Sequence, residues 1–502
     1  MGTTTTQQQK YLTVRELFHR VLVQFLIMSG SLHGLSVLGP VYLSKHLGAS
    51  PSTVGLAASA VSIGALVTSV NAGTFIGLFG YKKSASLGAL IVMLSYLLAG
   101  STGYYSTEPL VYNATIMQGN TLQGNTTTSL NHVELPTDII VAQVVYCLAA
   151  AFIGIGFTFY YLGQHTLISS RVADSSRGKA FAFTGGFWRI SGIFFPLIAG
   201  GLGASLGLHV ALVLFSLVPV VAGVLVLTCW PKVPSSSSST ATAATTAAPT
   251  TTAAPTPATT NAPTQTKPKS CCQIMVEFRS QLFQVGSFSA LLSVVRAGRT
   301  ILIPLVGLSL NLNIVSISVA VTASFVCGVC MFPFSGLIMD RFGRRVNGSI
   351  SLTIFGCGLV SLGFAQNVES FVASAALCGL GNGFSSGLVM TLGGDLANSF
   401  GDEKNRGPFL GVYKLVCDIG GVSGPLIAGV VTNAFDTSVS SFLFAIFAVV
   451  ALLWLRCVVP ETRPPTRPET KSKADTSGLS IDGIRVATNE EEVHAEIEIV
   501  SF

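Results

Sequence analysis

Five ionisable side chains interrupt long apolar segments of this 502-residue sequence. They are Arg189, Arg296, Arg299, Lys414 and Asp418. Burying a charge among apolar groups is costly, so residues of this kind commonly bind an ion, a proton or a charged ligand. Arg296 and Arg299 are three residues apart and share one face of a helix. Lys414 and Asp418 are four residues apart, which is the spacing of an ion pair within a helix.

The balance of these charges indicates the chemistry of a ligand. If Asp418 pairs with Lys414 or with Arg189, the charge that remains is positive, and a positive site favours an organic anion over a cation. Asp418 is also the one deep carboxylate of the sequence able to take up a coupling proton. The alternative is structural, because a buried Arg189–Asp418 or Lys414–Asp418 pair can serve only to fix how helices align.

Two neutral polar residues are further candidates for substrate binding. Asn382 lies in the glycine-rich segment GLGNGFSSG, where an amide away from lipid needs a partner. That partner is either the substrate or a neighbouring helix. His33 lies in the first apolar segment and is a candidate for substrate or proton binding, although a histidine that bonds within its own bundle is the commoner case.

Other kinds of site are not predicted. The sequence has no HExxH or P-loop segment, so we predict that the chain is not an enzyme and needs no cofactor. Cys327 and Cys330 have the spacing of metal ligands but lack a second pair, so no metal site is predicted. The net charge of +6 arises from short loops without a basic stripe, which argues against nucleic-acid binding.

Hydropathy defines the elements that must hold these residues. The chain is 49% hydrophobic and 10% charged, which suits a surface in contact with lipid. A helix crosses a bilayer core with roughly 20 apolar residues. Twelve segments meet this criterion, near residues 20–43, 53–77, 84–104, 138–163, 181–203, 207–229, 285–309, 314–338, 347–366, 370–391, 408–432 and 438–457. We therefore predict an all-α integral membrane protein with twelve transmembrane helices in two six-helix halves.

The polar segments set the predicted domain boundaries. Residues 231–272 are rich in Ser, Thr, Ala and Pro, a composition that predicts a disordered linker. It separates a first half at 20–230 from a second half at 273–460. Polar tails are predicted at 1–19 and 461–502.

Loop charges predict the orientation. Ten lysines and arginines lie in the short loops on one side of the spans, against Lys45 alone on the other. Positive loops stay cytoplasmic, so both termini are predicted to be cytoplasmic. The sequons at Asn113 and Asn125 lie on the opposite side, where glycosylation occurs, and indicate a membrane of the secretory pathway, for which the plasma membrane is the default expectation. The ending Val500-Ser501-Phe502 is the pattern that a PDZ-type protein binds.

An internal repeat relates the two halves. The segment RGKAFAFTGGFWRISGIFFPLIAGG (177–201) aligns with RGPFLGVYKLVCDIGGVSGPLIAGV (406–430) with nine identities in 25 positions and no gap. Asp418 occupies the place of Arg189 in this alignment. A parallel repeat of six spans arranges the halves around an axis along the membrane normal, and rocking of one half on the other then gives alternating access.

The segment GLIMDRFGRR (336–345) follows the eighth predicted span and resembles the signature loop of the major facilitator superfamily. Gly424-Pro425 in the eleventh span and Pro460-Glu461-Thr462-Arg463 at the end of the twelfth are similar to that family as well. The resemblance covers about residues 20–463. Likeness to the drug:proton antiporter branch is distant, because the arginine expected in the fourth span is missing near Ala150.

The resemblance implies a gate on the cytoplasmic side. The residues implied in it are Gly336, Asp340, Arg341, Gly343, Arg344, Arg345 and Arg177. Asp340 is expected to approach the start of the fifth span near Arg177, where a carboxylate complements the helix N-terminus. In the first half, Gly77 and Leu78 replace the acid and the arginine, so that copy of the gate is expected to be weaker.

These features together predict a secondary active transporter of a small organic solute, an organic anion or a drug-like compound, that works by alternating access. Its partners would be the small-molecule substrate, the lipid bilayer and a coupling proton. A transport-inactive receptor or scaffold on the same fold is the alternative, because fold does not fix function.

Overall fold

The computed structural model describes residues 21–105, 137–172, 174–231, 271–385, 387–399 and 403–461. Within these residues, twelve helices are long and apolar enough to cross a membrane. In chain order they are α1 Val23–Lys45, α2 Pro51–Phe79, α3 Tyr81–Ser101, α4 Thr137–Arg171, α5 Asp174–Leu206, α6 Leu208–Cys229, α7 Arg279–Ser309, α8 Ile314–Phe342, α9 Arg344–Gly363, α10 Val368–Ala397, α11 Glu403–Ala434 and α12 Thr437–Cys457. Each overlaps its predicted segment, so the predicted fold class is confirmed.

Side-chain caps define where four helices begin. Ser50, Asn313, Asn367 and Asp436 precede α2, α8, α10 and α12, and each accepts a hydrogen bond from a backbone amide in the first turn. These bonds satisfy amides that have no partner inside the helix. All four caps lie at the end of the bundle where α1 finishes, which we call the Lys45 end.

Glycine turns connect helices at the opposite end of the bundle. Gly80 joins α2 to α3 with a φ of +82°, and Gly343 joins α8 to α9 with a φ of +97°. Such φ values strain any residue that carries a Cβ. The two glycines occupy equivalent places in the two halves. We call this side the Gly343 end.

The two halves are built in the same way. In the first half, α1 packs on α5, and α4 packs on α2 and α3. In the second half, α7 packs on α11, and α10 packs on α8 and α9. The halves contact each other mainly through α2 on α11 and α5 on α8. This equivalence agrees with the internal repeat.

Small residues bring the halves together at the Lys45 end. A Cβ on Gly55 of α2 would overlap the backbone of Pro425 and Gly429 on α11, so these helices touch through their backbones. A Cβ on Gly200 of α5 would overlap Ser318 on α8. Close approach of this kind is the usual way for membrane helices to gain packing energy, because lipid offers no hydrophobic driving force.

Hydrogen bonds cross between the halves on the same side. The Ser59 hydroxyl donates to the Val422 carbonyl at 2.8 Å. The Lys45 ammonium donates to the Leu312 carbonyl at 2.9 Å. With the glycine contacts, these bonds close the space between the halves at the Lys45 end.

Glu461, four residues after the end of α12, holds the start of α9. The Glu461 carboxylate accepts hydrogen bonds from the backbone amides of Arg344 and Arg345, at 2.9 and 3.1 Å. The Arg345 side chain donates in return to the carbonyl of Val459 at 2.6 Å. A negative charge at this position is stabilising, because the first amides of a helix carry partial positive charge.

Several predictions fall outside the described residues. These are the glycosylation sites Asn113 and Asn125, most of the 231–272 linker, the two tails and the ending at 500–502. They stay predictions, as do the domain boundaries at 20–230 and 273–460.

Substituting Glu461 tests the cap of α9. Glu461→Gln should destabilise the purified protein by about 1 kcal/mol, because the amide is neutral and cannot match two charge-assisted bonds to backbone amides. The midpoint of thermal unfolding in detergent measures this. Glu369→Gln is the control, since Glu369 is exposed in the first turn of α10 and makes no such bond. Equal midpoints for both variants would contradict the capping role.

Candidate functional site

A cavity of about 790 Å³ lies between the two halves. Its wall is formed by residues of α1, α2, α4, α5, α7, α8, α10 and α11. Six of the seven residues predicted to bind substrate or a coupling ion line it, namely His33, Arg296, Arg299, Asn382, Lys414 and Asp418. A cavity of this size accommodates a drug-sized solute.

Arg296 lies in α7 and is anchored from α10. Its Nε donates a hydrogen bond to Oδ1 of Asn382 at 3.0 Å. Its terminal nitrogens have no hydrogen-bond partner among the described residues, and the side chain is half-buried at the cavity wall. The two residues are 86 positions apart in the chain, so their contact follows from the packing of α7 on α10.

Arg299 is held more deeply than Arg296. Only 6% of this residue is exposed. It donates to the hydroxyl of Ser324 on α8 and lies 6.0 Å from the ring centre of Phe355 on α9. Its Nε is buried and has no hydrogen-bond partner among the described residues. The Arg299 side chain therefore contacts α8 and α9, which belong to the same half as α7.

Lys414 and Asp418 form an ion pair along α11. The Lys414 ammonium is 2.6 and 2.9 Å from the two carboxylate oxygens of Asp418. The Lys414 side chain is 55% exposed and the Asp418 side chain 31% exposed, so the pair borders open space rather than protein interior. Asp418 is thus paired with Lys414, and the predicted alternative pair with Arg189 is not formed.

Arg189 is the one predicted binding residue that does not line the cavity. Its guanidinium lies over the ring of Phe332 on α8, 4.5 Å from the ring centre. A cation over an aromatic face is attracted by the ring electrons. Arg189 therefore contacts the opposite half beside the cavity, and the repeat that pairs it with Asp418 in sequence does not bring the two side chains together.

His33 is tied into a polar and aromatic cluster. Its Nδ1 lies 3.0 Å from the Ser29 carbonyl, to which it donates, and 3.0 Å from the Ser191 hydroxyl of α5. The ring makes edge contacts with Trp188 and with Phe325, both with centroids 4.8 Å away. Phe325 belongs to the second half. His33 thus joins α1 to helices of both halves at the cavity wall.

The predicted gate residues lie at the Gly343 end. Asp340 has a side chain that is 82% exposed and lies 3.9 Å from Arg344. Arg344 donates to Asp395 on α10 at 3.0 Å and to the Met339 carbonyl. Arg341 lies over the ring of Phe342.

The partner expected for this loop is not described. The side chain of Arg177 lies outside the described side chains, so its expected approach to Asp340 stays a prediction. Gly336, on the same loop-forming end of α8, has open space where a Cβ would stand.

Some residues at the site were not predicted. Ser324 binds Arg299, and Tyr413 lines the cavity while its hydroxyl contacts Ser289 at 2.6 Å. Both are ordinary residues of apolar helices. Their roles depend on contacts between distant segments, for which the sequence carries no signal.

Comparisons with known proteins agree with this fold. A family profile described as Major Facilitator Superfamily matches residues 21–295 and 285–493. A triacylglyceride transporter of Mycobacteroides abscessus is 26% identical over 213 residues, which cover 41% of this chain and 40% of the relative. The multidrug transporter protein MdtP of Bacillus subtilis is 25% identical over 134 residues, which cover 27% of this chain and 24% of the relative. The chain thus spans less than half the length of these relatives.

Solved structures share the architecture. The nucleoside transporter NupG superposes with a TM-score of 0.62 at 12% identity, covering 88% of this chain and 98% of its own. A D-xylose-proton symporter superposes with a TM-score of 0.60 at 14% identity, covering 89% and 98%. Likeness at this identity shows the fold alone. The family profile, which spans both halves, confirms the resemblance first seen in the 336–345 loop, and the multidrug relative agrees with the distant likeness to the drug:proton antiporter branch. The chain belongs to the major facilitator superfamily and is a multi-pass integral membrane protein.

Proposed function

We propose that the protein is a secondary transporter that moves a small organic solute across a membrane by alternating access. The observation that carries this proposal is a cavity closed on one side. Backbone contacts such as Gly55 against Gly429 close it at the Lys45 end. Lys414, two turns closer to the Gly343 end on α11 than Val422, lines the cavity with an exposed side chain. The cavity therefore opens toward the Gly343 end in this state.

Rocking of the halves would exchange the open and closed ends. The contacts between the halves at the Lys45 end are small-residue packing and single hydrogen bonds, with no ion pair among the described residues there. Such contacts are individually weak, so the two states can lie close in free energy. On the predicted topology the Gly343 end faces the cytoplasm and the membrane is the plasma membrane.

Cross-linking the Lys45 end tests alternating access. Lys45→Cys with Leu312→Cys, joined by a cleavable bismaleimide, should hold the state seen here and stop flux, and cleavage of the linker should restore it. The background carries Ser in place of the exposed Cys330, Cys357 and Cys457. Flux of solutes found by vesicle counterflow, over organic anions and drug-like compounds, is the measurement.

A matched pair within one half controls for the linker. Ser309→Cys with Thr437→Cys lies at the same end, where the hydroxyls are 3.0 Å apart, but joins α7 to the start of α12. This cross-link should leave flux unchanged. Flux that survives the inter-half cross-link would contradict alternating access. A protein that binds solutes but shows no flux in any form would be a receptor rather than a carrier.

Asp340→Asn tests the predicted gate. The substitution removes the charge that would complement the start of α5 when the Gly343 end closes, while it preserves side-chain shape. Turnover should fall by about tenfold, as loss of a charge-assisted contact predicts, with insertion into the membrane unaffected. Arg344→Ala should act in the same direction. Asp138→Asn, an exposed acid at the Lys45 end, is the control. Wild-type turnover at equal surface level would contradict the gate role.

Asp418→Asn tests proton coupling. Asp418 borders the cavity and can exchange a proton with it, and protonation would release Lys414 from the ion pair. In vesicles the variant should keep solute exchange but lose accumulation driven by a pH gradient, because an amide does not titrate. Gradient-driven accumulation equal to that of the wild type would exclude Asp418 as the coupling site.

A further inference from the structure

The cavity wall is electrically asymmetric. Within the described part of the chain, four charged residues line the cavity, and all of them belong to the second half. They are Arg296, Arg299, Lys414 and Asp418. The first half contributes apolar side chains such as Leu35, Val54, Val61 and Trp188, and no charge. A solute that fills the cavity therefore meets charged side chains on one side and an uncharged, mainly apolar wall on the other.

The net charge of the charged wall is positive. Lys414 and Asp418 neutralise each other through contacts of 2.6 and 2.9 Å. No described carboxylate lies within 4 Å of Arg296 or Arg299. Arginines remain charged in proteins, so two positive charges at the cavity lack a neutralising acid.

The two arginines differ in what they offer to a solute. Arg299 is 6% exposed and is bonded to Ser324, so its position is set by the second half. Arg296 has its Nε fixed by Asn382 at 3.0 Å, while its terminal nitrogens bond to no described residue. A guanidinium oriented in this way presents a planar pair of donors, which matches the two oxygens of a carboxylate.

We propose, resting on the proposed transport function, that the cavity binds an amphipathic organic monoanion whose carboxylate or equivalent oxyanion is held by Arg296. Asn382 acts as a positioning residue that orients the guanidinium. The apolar body of the solute packs against the first half, near Val61 and Trp188. Arg299 supplies a positive field behind Arg296 without a direct contact.

Equilibrium binding to the purified full-length protein tests this assignment. The probe is radiolabelled phenylbutyrate, and the competitors share its apolar body but differ in head group: phenylbutanesulfonate, phenylbutylamine and phenylbutanol. The acid and the sulfonate should compete at similar concentrations. The amine and the alcohol should need at least about tenfold more, because they forgo a charge-assisted bidentate contact. Competition by the acid alone would narrow the class to carboxylates and still support the proposal.

Variants assign the contact to particular residues. Arg296→Lys keeps the charge but loses the planar pair of donors, so phenylbutyrate affinity should fall by about tenfold. Asn382→Ala should weaken binding of the acid while leaving that of the alcohol unchanged, which a merely structural role would not do. Arg279→Lys, on the same helix outside the cavity, should bind like the wild type.

Three results would overturn the assignment: no binding of phenylbutyrate, amine or alcohol competing as well as the acid, or Arg296→Lys binding like the wild type. Should Arg296→Lys fail to fold, Asn382→Ala with the acid and alcohol pair decides. Flux is measured separately with the permanently charged sulfonate. Arg296-dependent binding without flux would refute transport and leave this site intact, whereas flux of amines alone would refute the site and leave transport intact.

Discussion

Close backbone contact at the Lys45 end is the constraint on which the rest of the structure depends. In lipid, helices gain nothing from hiding apolar surface, so association relies on packing and hydrogen bonds. Gly55 against Gly429, and Gly200 against Ser318, allow this packing at one end of the helices. Because each half is internally well packed, contact at one end and space at the other produce a cavity between two stiff bodies.

The charged groups of the cavity wall find their contacts within the second half. The ion pair in α11 keeps Lys414 and Asp418 together on one helix, so neither depends on the other half for its partner. Arg296 and Arg299 likewise bond within the second half, to Asn382 and to α8. These contacts all lie inside one half, so movement between the halves does not break them.

Much of this fold could be predicted from the sequence, and less of the site. The lengths of the apolar segments predict the twelve helices, and the i, i+4 spacing of Lys414 and Asp418 predicts their ion pair on α11. Both are local properties of a helix. The partners of Arg189 and Arg299 could not be predicted. Phe332 and Ser324 are their contacts, and these depend on the rotation of α5 and α7 against α8, which no local pattern specifies. Matching positions in the repeat do not imply contact, since Arg189 and Asp418 occupy equivalent positions and Asp418 pairs with Lys414.

The electrical asymmetry of the cavity wall bears on how such a protein can diversify. Within the described residues, the second half contributes every charged group of the cavity wall, and the first half contributes mainly apolar side chains. Exchange of one apolar residue for another on the first half, at Val54 or Val61, alters the shape available to a solute without disturbing any charge. On the proposed assignment, recognition of the head group and selection of the apolar body reside in separate halves, so a substitution that alters one leaves the other in place.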